Sequence, residues 1–276
     1  MLSPSLMQLL IGGILAAIAA VISWGLRWLK GSGALAAFIL GLVVFGLGGL
    51  SWAYVLLAFF VTSSLLSILF KNKKEQVEKS YEKSSRRDAG QVFANGAIAG
   101  LFVVAHVFFP DSRLTWTGFV AALAAANADT WATELGILSK HDPILITNGK
   151  PVTAGTSGAV SLTGMIGAVL GSAVVVLVAW FFWPGAVMPA RVWWIPVVLF
   201  CGWVGSLVDS WLGARFQTIY FCPACQKETE REIAHGCGTA TVYLRGWRWM
   251  DNDWVNLLCT CVSALLALLL MLLCHI

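Results

Sequence analysis

Residues 115–136 read TWTGFVAALAAANADTWATELG. An apolar run opens the stretch, and Asn127, Asp129, Thr130 and Glu134 then crowd its second half. Composition decides what such a run is. The 276 residues are 58% hydrophobic and 12% charged, with 27 Gly, 14 Trp and a mean hydropathy of +0.79. A soluble domain needs about a quarter of its residues charged to wet its surface, so most of this surface faces something other than water. Similar apolar runs recur along the whole chain, each long enough to cross ~30 Å of hydrocarbon. The sequence therefore predicts an all-α, polytopic transmembrane helix bundle, a single integral-membrane domain over 1–276. Collagen, disulfide scaffolds, disordered tails and soluble single-domain enzymes are excluded. A transmembrane barrel is excluded too, because the runs lack the alternating period of barrel strands.

Working outward gives about eight helices, at roughly 7–27, 33–49, 51–70, 89–109, 115–133, 160–183, 192–213 and 254–274. Only Gly-Gly separates the second from the third, which predicts a tight hairpin, and seven spans result if one of that pair does not cross. The first run has neither a basic stretch before it nor a small-residue cleavage site, so it reads as a retained span. Sixteen of the 18 Lys and Arg follow helices 1, 3, 5 and 7, leaving Arg113 and Arg191 on the other face. That asymmetry predicts those segments in the cytoplasm and both termini outside. The net charge of +4 thus reports topology and gives no sign of a nucleic-acid partner. Residues 71–88 read as a charged cytoplasmic connector.

Ionisable residues are costly in spanning helices and usually functional. Here they collect at the cytoplasmic ends of four helices. Asp88, Gln91 and Asn95 share a face of helix 4; Asn127, Asp129, Thr130 and Glu134 end helix 5. Asp209 and Ser210 end helix 7, and Asp251, Asn252, Asp253 and Asn256 open helix 8. Snorkelling and capping account for Asp251 but not for Asp129 and Asp209, which stand beside Trp in apolar helices. Carboxylates with amide oxygens form a hard donor set suited to Mg²⁺, which binds together with substrate phosphates. Ahead of helix 6, Gly155, Thr156, Ser157 and Gly158 make an anion cradle or merely an N-cap, with Lys150 nearby.

The loop over 214–250 holds Cys222, Cys225, His235 and Cys237. Cytoplasmic thiols stay reduced, and the spacing suits a structural Zn²⁺ of the Cys₃His type, although His-x-Cys is tighter than usual. A redox-labile pair and incidental cysteines are the alternatives.

Asn127–Gly136, Gly155–Ser161, Asp209-Ser210 with Gly213, and Asn252-Asp253-x-x-Asn256 together resemble the integral-membrane family that contains the plant phytyl-phosphate kinases. The likeness covers roughly 30–275, with Ser157 and Ala159 departing from an expected Gly-Thr-Asn-Gly-Gly. It implies a polyprenyl-phosphate kinase-like enzyme that transfers phosphoryl from a nucleoside triphosphate, CTP foremost, to an isoprenoid phosphate lipid at the cytoplasmic membrane face, most naturally the plasma membrane of a prokaryote. Two anions must then meet, and Mg²⁺ on carboxylates screens them. The expected metal ligands are Asp129 and Asp209, with Glu134 and Asp253 as further catalytic ligands or orienters of metal-bound water. Substrate and nucleotide contacts are expected from Arg87, Asp88, Gln91, Asn95, Asn127, Thr130, Lys150, Gly155, Thr156, Ser157, Gly158, Ser210, Asn252 and Asn256. The rival reading is a transporter or flippase for an isoprenoid phosphate or a small ion. The sequence leaves room for a homodimer.

Overall fold

The computed structural model describes residues 5–70, 86–184 and 191–274. Residues 71–85 of the charged connector lie outside them. Eight helices run in chain order: α1 Leu6–Gly25, α2 Gly31–Val43 with a π-helical continuation Val44–Gly48, α3 Leu50–Leu69 and α4 Ala89–Phe108. They continue with α5 Arg113–Gly136, α6 Leu162–Phe181, α7 Arg191–Arg215 and α8 Asn252–Leu273. Gly49 alone separates α2 from α3, at φ +80°, and both members of that hairpin are long and apolar enough to span.

Seven helices meet the requirements of a membrane span, and among the described helices the exception is α5. It carries Arg113, Asp129 and Glu134, and its core is rich in alanine. The same helix is buried without a break from Thr115 to Ala128 and packs against α3, α4, α6, α7 and α8. A helix ringed by others meets no lipid, so close packing of small residues replaces hydropathy. From α6, Gly164, Gly167, Ala168 and Gly171 form a buried small-residue stripe. A Cβ on Gly167 would lie 2.7 Å from the Trp131 carbonyl oxygen, and one on Gly171 2.7 Å from that of Asn127. That approach excludes any larger residue.

The end of α5 near Thr115 is aromatic. Trp52 meets Trp116 edge-on at 5.0 Å, and Trp183 meets Trp194 edge-on at 4.9 Å. The buried Trp194 indole Nε1 donates to Thr117 Oγ1 at 2.9 Å, so its polar atom is satisfied inside the bundle.

Two small sheets lie between helices. The strands β1 Ile144–Leu145 and β2 Ala159–Val160 pair antiparallel between α5 and α6. Between α7 and α8, β3 Ile219–Cys222 is flanked by β4 Lys227–Thr229 and β5 Val242–Arg245, both antiparallel to it. The Cys/His segment is therefore a folded three-stranded unit.

Candidate functional site

At the end of α5 opposite the aromatic cluster, a cavity of about 290 Å³ opens. The final turns of α3, α5 and α7 and the first turns of α4, α6 and α8 line it. That alternation follows from an up-and-down bundle in which every second connection lies at the same end.

Asp129 and Asp209 stand side by side within hydrogen-bonding contact. Asp209 Oδ2 is buried without a hydrogen-bond partner among the described residues. Two adjacent carboxylates repel unless a cation or a proton sits between them. Asn252, Asn256 and Ser210 line the same cavity. This hard-oxygen set with a sealed, unsatisfied carboxylate oxygen fits a divalent cation such as Mg²⁺. Some polar neighbours are committed elsewhere: Thr130 Oγ1 donates to the Ala126 carbonyl at 3.0 Å and Ser210 Oγ to that of Ser206 at 3.3 Å.

Glu134 also lines the cavity but is only 2% exposed, and Ser67 Oγ donates to its Oε1 at 2.7 Å. Arg87 faces it from the start of α4. The Arg87 backbone amide donates to the Trp28 carbonyl and its carbonyl accepts from the Lys30 amide, at 3.0 and 2.9 Å. Its guanidinium lies 5.7 Å from the centre of the Phe59 ring. Burial lowers its pKa to about 10, against the opposing influence of Glu134, so it remains a cation at neutral pH.

The glycine-rich turn follows β1 and precedes α6. Gly158 adopts φ +81°, and a Cβ there would lie 2.4 Å from that of Ala214. Only glycine fits both constraints. Ser157 Oγ donates to Gln217 Oε1 at 2.7 Å, and Gln217 Nε2 donates to Glu230 Oε1 at 2.7 Å. Ser161 caps α6 through the Gly164 amide. Amides at a helix N-terminus beside a Gly/Ser/Thr turn suit a phosphate.

The cavity lining gathers Arg87, Gln91, Asn95, Asp129, Thr130, Glu134, Gly155, Thr156, Ser157, Gly158, Asp209, Ser210, Asn252 and Asn256. Four other expected residues lie outside it. Asn127 is fully buried, donating to the Gly171 carbonyl at 2.8 Å and accepting from Thr62 Oγ1 at 3.3 Å, so it ties helices together. Asp88 is the N-cap of α4, in a reciprocal capping box with Gln91, and lies 3.3 Å from Lys30 Nζ. Lys150 is exposed in the turn after β1. Asp253 sits in the first turn of α8 against Gly90, where a Cβ would meet its Oδ2.

The Cys/His unit brings four ligand atoms together. Those of Cys222, Cys225, His235 and Cys237 all lie within 4.8 Å of one another. Cys222 Sγ is 3.6 Å from Cys237 Sγ, and His235 Nδ1 is 3.3 Å from it. A tetrahedral zinc with Zn–S bonds of ~2.3 Å has ligand-to-ligand edges of about 3.8 Å, so the cluster fits that ion. Hydrogen bonding with Thr239, then with His235, brings the Cys237 thiol down to about 5. Its proximity pushes Cys225 up to about 11.

Sequence reasoning missed Ser67, Gln217 and Glu230. Gln217 and Glu230 lie in a segment that reads only as structural, and Ser67 looks like one hydroxyl in an apolar span. The signal for Gln217 was its place four residues beyond Gly213, within the motif that carries Asp209.

Protein PGR of Arabidopsis thaliana is 30% identical over 268 residues, covering 90% of this chain and 91% of that protein. An uncharacterized membrane protein of Methanocaldococcus jannaschii is 30% identical over 217 residues, 77% of this chain and 85% of its own length. The chloroplastic protein VTE6 of Arabidopsis thaliana is 25% identical over 248 residues, 88% of this chain and 65% of its own. No solved structure matches the chain. A family described as integral membrane protein DUF92 matches residues 14–264, and with that span and those relatives the chain belongs to this family.

Proposed function

We propose that this protein transfers a phosphoryl group from a nucleoside triphosphate, with CTP the expected donor, to an isoprenoid monophosphate at the cytoplasmic face of a prokaryotic cell membrane. The observation that carries the reading is one cavity in which adjacent carboxylates, a glycine-rich turn at a helix N-terminus and a buried arginine meet at one end of a membrane bundle. The resemblance of its motifs to the family that contains the plant phytyl-phosphate kinases supports it.

The chemistry asks little covalent work of the protein. An acceptor phosphate oxygen bonds to the terminal phosphorus, the bond from that phosphorus to its bridging oxygen breaks, and a nucleoside diphosphate leaves. The acceptor oxygen is already anionic, so no base need remove a proton. Asp129 and Asp209 would hold Mg²⁺, with Asn256 nearby as an oxygen donor. When bound, that ion neutralises charge on the reacting phosphates. Thr156, Ser157 and the Gly158 amide would hold the nucleotide's phosphates, and Arg87 would draw in the acceptor phosphate. A structural zinc on Cys222, Cys225, His235 and Cys237 would fix the β3–β5 unit that carries Glu230 and so hold Gln217 against Ser157. A transporter would place its polar residues near mid-membrane, whereas here they gather at one end.

The test is incubation of the purified protein with Mg²⁺, γ-labelled CTP or ATP, and a panel of prenyl phosphates and prenyl alcohols. Label should appear in a prenyl diphosphate. Label in no lipid, or only in a monophosphate made from an alcohol, overturns the assignment.

A further inference from the structure

A second, smaller cavity of about 60 Å³ lies among α1, α2, α3 and α4. Its walls are apolar, formed by Ala16 and Ala20 of α1, Leu40 of α2 and Phe60 of α3. At one end the lining changes character to Arg87, Gln91 and Asn95, and these three residues also line the carboxylate cavity. An apolar slot thus ends on a cation and two amides that border the proposed metal site. The Arg87 backbone is tied to Trp28 and Lys30, and its guanidinium packs over the Phe59 ring that also lines the slot.

We infer that this slot binds the hydrocarbon chain of the lipid-phosphate acceptor, with its phosphate against Arg87, Gln91 and Asn95 and so facing Asp129 and Asp209. The inference rests on the phosphoryl-transfer reading and adds the acceptor's subsite to it. Charge complementarity identifies the head, because a guanidinium beside two amides suits a phosphate oxygen. Apolar walls of Ala16, Ala20, Leu40 and Phe60 identify the tail as hydrocarbon. Length sets what is recognised. From Ser23 to Ala16 the wall formed by α1 rises ~10 Å, so only the head-proximal part of the chain lies inside. The protein therefore reads the branching near the phosphate and is indifferent to chain length beyond the slot. Ala16 and Ala20 keep it open, since larger side chains there would fill it.

The experiment is photolabelling of the full chain in nanodiscs with two prenyl monophosphates, one with a diazirine near the phosphate and one with it at the far end. The proximal probe should label peptides of α1 and α3, and unlabelled prenyl monophosphates of different lengths should compete equally. Ala20→Phe should cut that labelling at least about tenfold, and Ala20→Val should cut it less, which covers the case in which the phenylalanine variant does not fold. The distal probe should label without competition. Proximal labelling that is not competed, falls on α6 or α8, or persists in both variants overturns the slot. Competed labelling of α1 and α3 without phosphoryl transfer to any acceptor keeps the slot and overturns the kinase reading. Transfer with labelling elsewhere does the reverse.

Discussion

The two ends of α5 bury different kinds of polar group. Near Thr117 the polar groups are neutral: the Trp194 indole donates to the Thr117 hydroxyl, aromatic rings pack around the pair, and the buried Trp116 indole N–H finds no partner among the described residues. Near Asp129 a carboxylate oxygen of the neighbouring Asp209 is buried with no hydrogen-bond partner among the described residues, beside a cavity. An unsatisfied carboxylate oxygen costs more free energy than an unsatisfied indole N–H, and with the Asp129 carboxylate beside it the pair suits a cation. One end holds the bundle together; the other, in the proposed function, carries the chemistry.

Replacing either acid should separate these roles most sharply. Asp129→Asn or Asp209→Asn is expected to lower phosphoryl transfer at least about a thousandfold, the several kcal/mol that a bound cation contributes, with an unchanged unfolding temperature. Normal turnover in both variants breaks the contrast. Trp116→Ala, at the other end, should cost ~3–5 kcal/mol of stability, while the molecules that remain folded turn over at the wild-type rate. A stable but inactive Trp116→Ala protein would show that the aromatic end also serves the chemistry.

A smaller effect is expected where the cavity meets the sheet between α7 and α8. Elemental analysis of protein purified without chelator should find about one zinc per chain, the number a Cys₃His site holds. Cys222→Ser with Cys225→Ser should lose it, and transfer should fall by about tenfold, because Gln217 no longer holds Ser157 firmly. Zinc-free wild-type protein, with the double variant equally stable and active, makes the cysteines incidental.

Much of this contrast was legible in the sequence, for identifiable reasons. Continuous apolar runs mark seven of the described helices, α5 reads as a less apolar eighth, and the 3.6-residue period aligns Gln91 with Asn95 on one face of α4. Periodicity does not show which helix sits at the centre. α5 takes that place through alanine and through glycines on α6, which a hydropathy reading counts as weakness. Asn127 reads like a site residue because amides are costly in a span, yet its amide is used up on Gly171. The Ser157–Gln217–Glu230 bridge joins residues up to 73 positions apart, a pairing that no local pattern encodes. The apolar slot was hidden for the opposite reason, since Ala16 and Ala20 look like any other alanines in a spanning helix.

Binding of a divalent cation at the acidic end of α5 is the most direct test of the division between the two ends. Mn²⁺, which takes the same hard oxygen ligands, can be titrated into the purified protein with a non-hydrolysable nucleotide and followed by electron paramagnetic resonance. Wild-type protein should bind Mn²⁺ saturably, Mg²⁺ should displace it, and Asp209→Asn should abolish the bound signal while Trp194→Phe leaves it intact. Equal Mn²⁺ binding by wild-type protein and Asp209→Asn would contradict the account.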